Sequence, residues 1–283
     1  MASGAVQYAF TGDTYSTPIG IITGGEWGDN ASPITIEGIG GAGVIVAGPT
    51  QAEATLEVAP VDNNGLLDKI LRSAGTYYGG YPAGEPPAFK LHLGDDASGI
   101  YAATWQVASA TINFAVGDVL KVSYKLIASG KPSRGINSNE YTVAQTPFVW
   151  HDGSVQLDSE DAEVVSCQLS IDNGLKAYHT LNSKTAGSRR WNDGCDSGSE
   201  VITCNLTLRE NPGHALDADE LEEADIVLTA VSLATTPLTA TFTLSNAKPT
   251  VQNTRLVAAT AVREWTVTYN ADPSSGALTI SVE

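Results

Sequence analysis

Residues 51–59 alternate strictly, with Gln51, Glu53, Thr55 and Glu57 on one side and Ala52, Ala54, Leu56 and Val58 on the other. A side-chain period of two places polar residues on one face of a strand and apolar residues on the opposite face, so this segment reads as a half-buried strand. The pattern returns at 200–209, where Ile202, Cys204, Leu206 and Leu208 oppose Thr203, Asn205, Thr207 and Arg209. Threonine and the branched aliphatic residues are abundant, and the 28 glycines and 13 prolines are spread along the chain. Many short strands closed by turns, and hence a mainly β fold, follow from that distribution.

Around each of these strands the same order of elements is expected. A helix over 65–73, capped by Asn63 or Asn64, carries an apolar stripe of Leu66, Leu67, Ile70 and Leu71. Its counterpart is expected over 220–233, capped by Asp217 or Asp219, with Glu220, Glu222 and Glu223 at the positive end of the dipole. Alternating strands follow at 87–93 and 238–244, then at 107–114 and 257–269, and the halves close with strands at 119–127 and 277–283. Self-similarity at about half the chain length implies duplication. The join falls in 128–146, which is polar, contains Gly130, Pro132 and Gly135, and lacks a sustained hydrophobic period. The expected organisation is a first domain over 1–130, a linker over 131–146 and a second domain over 147–283.

The formal charge of −17 argues against binding to a phosphate backbone, which draws its affinity from lysine and arginine. The excess of carboxylates also suits a protein working in high salt. Cys167, Cys195 and Cys204 are too few and too widely spaced for a zinc ribbon. Cys167 and Cys204 fall in strand-like runs and read as buried hydrophobes, whereas Cys195 lies in a polar stretch and reads as a free exposed thiol. No basic start followed by an apolar core opens the sequence, and no run of about eighteen apolar residues exists, so neither a signal peptide nor a membrane span is expected.

The sequence holds no Walker loop, dinucleotide-binding glycine pattern, HExxH or nucleophile elbow. His92, His151, His179 and His214 are scattered, and His92 is expected on the exposed face of its strand. No catalytic residue, metal or cofactor is expected, and the chain does not read as an enzyme. Trp27, Trp150 and Trp191, if exposed, would offer platforms for sugars. Two stretches lack periodicity: 77–87, with three tyrosines and three prolines, and 182–198. The second holds the chain's one basic and aromatic cluster, Arg189, Arg190 and Trp191, residue types that anchor interfaces. An inter-subunit arm carrying Lys184, Arg189, Arg190, Trp191 and Asp193 is expected there.

From Phe148 the chain reads FVWHDGSVQLDSEDAEVVSCQLSIDNGLKAYHTLNS, and this segment resembles the tail tube proteins of long-tailed phages and related viruses. The I-D-N-x-L turn of that family is matched by Ile171, Asp172, Asn173, Gly174 and Leu175, and its long loop by 182–198. In the first half, Phe89 to Leu91, Val107 to Ile112 and Val119 to Ser123 are similar to strands of two-copy members. The resemblance implies two tandem tail-tube-like β-sandwich or barrel domains, each with one short flanking helix. It further implies a structural virion protein, the major tail tube subunit, made in the host cytoplasm and residing in the virion tail. Its partners would be copies of itself in homotrimeric rings stacked into a tube, other tail proteins at the tube ends, and passing DNA without specific binding, with no membrane. Glu53, Thr55 and Glu57, with Thr203, Asn205 and Thr207, would then face the channel or the outer wall of the ring. A carbohydrate-binding or depolymerising virion protein, a head decoration and a tail terminator stand as alternatives.

Overall fold

The computed structural model describes residues 7–9, 17–31, 34–37, 43–46, 48–61, 66–72, 84–95, 99–135, 146–179, 190–209, 223–257, 262–271 and 278–283. The chain is mainly β. In order, its strands are β1 (Gln7–Ala9), β2 (Thr17–Pro18), β3 (Ile21–Ala31), β4 (Ile34–Glu37), β5 (Gly43–Val46), β6 (Pro49–Ala59), β7 (Phe89–Asp95), β8 (Gly99–Ala115) and β9 (Lys121–Gly135). They continue with β10 (Phe148–Leu157), β11 (Glu160–Asp161), β12 (Val164–Asp172), β13 (Leu175–Tyr178), β14 (Arg190–Trp191), β15 (Gly194–Ser197), β16 (Val201–Arg209), β17 (Ala224–Ser232), β18 (Thr239–Val257), β19 (Val262–Ala271) and β20 (Leu278–Val282). Sixteen of them form one sheet, while β4 with β5 and β13 with β15 form separate two-stranded pairs.

The pairings fall into two sets of the same pattern. The first set runs β2-β1-β7-β8-β9-β6-β3 and the second β11-β10-β17-β18-β19-β16-β12, with antiparallel neighbours throughout. In each set a lone hairpin follows the third strand, β4–β5 after β3 and β13–β15 after β12. Register irregularities also recur at matching places. One lies between Ile22 and Gly24 and again between Val164 and Ser166; another lies between Val107 and Ser109 and again between Pro249 and Val251. Bulges bend a strand and raise its twist, so equal bulges give equal bends. The two sets are welded by β8 against β12, from Ser109↔Asp172 to Ala115↔Ser166.

This pattern corrects the expected alignment of the halves. Phe89–Asp95 matches Ala224–Ser232, where a helix was expected over 220–233, and 238–244 belongs instead with the start of β8. In β17 the buried residues are Ala224, Ile226, Leu228, Ala230 and Ser232, a period of two set by β-branched neighbours that pack well on a pleated surface. Of that expected helix's cap and first turn, 217–222 lie outside the described residues. The helix expected over 65–73 is a single 3-10 turn, Leu67–Lys69, although Leu66, Leu67 and Ile70 are fully buried as their apolar stripe requires. β9 continues to Gly135, so backbone pairing covers the beginning of the expected linker, and 136–145 lie outside the described residues.

One core runs through both sets, from Leu56, Trp105 and Leu126 to Leu206, Phe242 and Tyr269. Phe114 of β8 meets Phe242 of β18 edge to face at 5.4 Å between ring centres, joining the first set to the second. A fully buried side chain of this size contributes about 1.5–3 kcal/mol. Backbone polar groups near the junction are satisfied by two buried asparagines. The Asn173 amide donates to the carbonyls of Ile70 (2.8 Å) and Val107 (3.0 Å), and the Asn192 amide donates to that of Ala128 (2.6 Å). At Gly174 the chain takes φ +58° and a Cβ would sit 2.7 Å from the Ser199 carbonyl, while the Asp172 carboxylate accepts its N–H at 2.8 Å. The Ile171 to Leu175 turn therefore clamps one set of strands onto the other. Asn173→Ala leaves two buried carbonyls without their donor and is expected to lower unfolding free energy by about 1–3 kcal/mol, measured by urea denaturation.

Candidate functional surface

The outer face of the central sheet is where the polar positions of 51–59 and 200–209 meet. The strand order there is β3-β6-β9-β8-β12-β16-β19-β18. One register row crosses it from Glu57 through Ser123, Thr111, Ser170, Thr203 and Asn270 to Lys248. Directly opposed residues share a face, so Glu53, Thr55, Glu57, Thr203, Asn205 and Thr207 all lie on this one surface. All six are exposed or half-buried, while Ala54, Leu56, Cys204 and Leu206 between them are buried.

Short hydroxyl and amide side chains dominate the surface and bond to each other across strands. The Gln168 amide donates to Asn113 at 3.0 Å, the Thr268 hydroxyl to Asn205 at 2.7 Å and the Thr203 hydroxyl to Asn270 at 3.3 Å. The Gln51 amide donates to the Glu53 carboxylate at 2.6 Å. Acidic Glu53, Glu57 and Asp172 are interleaved with basic Lys121 and Lys125. The face therefore carries both signs. The hairpin β13–β15 covers one border, where Leu175 and Cys195 pack on Ala108 and Ile127.

The expected inter-subunit arm is placed differently. Trp191 is 5% exposed and packs in the chain's own core, and β14 runs parallel to β6 with Trp191 opposite Thr50. A side chain already buried at home does not serve as an exposed anchor. Asp193 is half-buried and its N–H donates to the Tyr178 carbonyl at 2.9 Å, while Lys184 and Arg189 lie outside the described residues. The backbone of Arg190 pairs with Pro49. The stretch 182–198 is thus in part a built strand and hairpin. A basic and aromatic cluster suggests contact with another chain, but Asn192 beside Trp191 bonds to the carbonyls of Thr50 and Ala128 and ties this stretch to the chain's own strands.

Other expected features change with burial. Cys195 is buried rather than exposed, and desolvation pushes its thiol up to about 11. The thiols of Cys167 and Cys204 lie 3.6 Å apart in the core, and burial holds Cys167 well above the usual thiol range. His92 is half-buried, and desolvation lowers its imidazole to about 4. Of the three tryptophans considered as sugar platforms, Trp27 is exposed, Trp191 is buried, and the side chain of Trp150 lies outside the described residues. Among the described residues no three His, Cys, Asp or Glu side chains gather as a metal site, and no helix is long and apolar enough to cross a membrane. No protein-family model matches the chain, and no curated protein matches it.

Two measurements follow. Trp191→Ala is expected to cost about 3–5 kcal/mol of stability through loss of core packing, read as a lower denaturation midpoint of the chain. A folded His92 that resists protonation makes the unfolded chain bind more protons between about pH 6.5 and 4. Its contribution to stability is therefore fully present above about pH 6.5 and falls as pH drops toward 4. Burial raises the Glu200 carboxyl, which acts in the opposite sense, so the His92→Gln variant isolates the effect. Thermal melts across that range should show a shallower acid-side loss for His92→Gln than for the parent chain.

Proposed function

We propose that this chain is a structural virion protein, the major tail tube subunit of a long-tailed virus, which polymerises into stacked rings that conduct DNA. The observation that carries the reading is the eight-strand polar face, which draws four strands from each of two sets with the same pairing pattern and, among the described residues, ends in two unpaired edges, at β3 and along β18. In this reading each set is a tail-tube-like domain, and the resemblance of 148–183 supplies the family. A sheet with two complementary ends extends by adding copies until rotation closes it.

Tail tubes place six tube domains around the channel, so a chain with two domains closes the circle with three copies. The polar faces of three chains then line one barrel of about twenty-four strands, well above the 16–18 that already leave an aqueous channel. Hydroxyls, amides and interleaved charges make a lining over which a polyanion slides without a fixed binding register. Glu53 and Glu57 flank Thr55, the residue directly opposite Lys125 on the neighbouring strand.

Negative-stain electron microscopy of the purified protein tests this reading. Rings and hollow filaments with three chains per ring are the expected result, whereas uniform monomers at high concentration overturn it. Glu53→Lys with Glu57→Lys is expected to spare tube assembly and slow DNA release, seen as reduced infectivity of virions carrying the variant. Unchanged infectivity places this face on the outer wall.

A further inference from the structure

The weld between the two sets of strands has a counterpart in the edges left at the two ends of the sheet. Within the chain, β8 pairs β9 on one edge; its other edge pairs β7 at its start and β12 at its end. β18 is built alike. Its start pairs β17 on one edge and β20 on the other, and its end pairs β19, whose register runs on into β20. By that match the end of β18 has the edge that β8 gives to β12, and among the described residues nothing pairs with it. The strand equivalent to β12 is β3, which pairs β6 alone among the described residues.

We infer that β18 of one chain pairs antiparallel with β3 of the next, repeating between chains the junction that β8 and β12 make within one; the inference rests on the ring-forming reading above. Matching the bulges transfers the register. Gln168↔Asn113 in the internal junction becomes Glu26↔Arg255 between chains, Ser170↔Thr111 becomes Gly28↔Asn253, and Leu169↔Ile112 becomes Trp27↔Thr254.

Three observations support that register. Glu26 and Arg255 carry opposite charges where the internal junction has a Gln168–Asn113 hydrogen bond, and opposed charges on neighbouring strands attract. The register already sets Arg255 opposite Glu264, and Glu264 opposite Arg209, so adding Glu26 extends a row of alternating sign. Trp27 is 41% exposed on β3, whereas its equivalent Leu169 is fully buried in the welded junction. A large apolar side chain on an unpaired edge is a liability until that edge is covered. The partner is a second copy of this chain, because the second edge is its own.

Cross-linking tests the pairing. Opposed residues of antiparallel strands lie about 4.5–5.5 Å apart between Cα atoms, within disulfide reach. A Cβ at Gly28 meets nothing within 4 Å, and the three native thiols are buried, so new cysteines report cleanly. Chains carrying Gly28→Cys and chains carrying Asn253→Cys are mixed, assembled and oxidised. The expected product is a disulfide-linked dimer with one chain of each kind, which neither variant forms when oxidised alone. Glu26→Arg is expected to reduce the assembled fraction about tenfold, and a double-mutant cycle with Arg255→Glu is expected to show coupling between the two positions. Rings that form with no cross-link and no coupling overturn this pairing and leave the ring-forming reading standing. Parent chains that stay monomeric overturn both.

Discussion

Backbone hydrogen bonding between Ser109 to Ala115 of β8 and Ser166 to Asp172 of β12 is the interaction on which the architecture depends. Without it the chain would be two sets of strands tied by a linker, each with exposed N–H and C=O groups along a strand edge. Such edges recruit whatever strand is nearby. Placing β12 there gives the first set a fixed neighbour and continues its polar face into that of the second. The buried amides of Asn173 and Asn192 and the edge-to-face contact of Phe114 with Phe242 hold that weld in one geometry.

The same junction gives the surface its chemistry. Because opposed residues share a face, joining the strands in this register aligns Thr111 with Ser170 and Asn113 with Gln168, so the hydroxyl and amide ladder crosses from one set to the other unbroken. Shifting either strand by one residue would turn Leu169 and Ile112 outward and hydroxyls inward. Register is thus fixed by the core on one side, and the uniform polar surface on the other side is its consequence. The ladder follows from strand register alone, and no single residue carries it.

Alternation was legible wherever one face met the core and the other met water. Residues 51–59 and 200–209 read directly as strands, and their polar positions proved to share one surface. Residues 224–232 misled because three glutamates just before them imitate a helix start, although Ile226, Leu228 and Ala230 keep a strand's period. That error displaced the alignment of the second half by one strand. Arg189, Arg190 and Trp191 read as an anchor from residue type alone, because linear sequence does not show that Asn192 bonds to Ala128, 64 residues away. The pairing of β8 with β12 was not legible at all. Both strands were visible as strands, but which edges meet is a property of packing between distant segments.

Cryo-electron microscopy of the assembled particle tests the central claim most directly, since it shows how many chains make a ring and whether their sheets are continuous. Three chains per ring, with β18 of each running into β3 of the next and the Thr203 and Glu57 face toward the channel, is the result this account predicts. Six chains per ring, or a break in the sheet between β18 and β3, would contradict it.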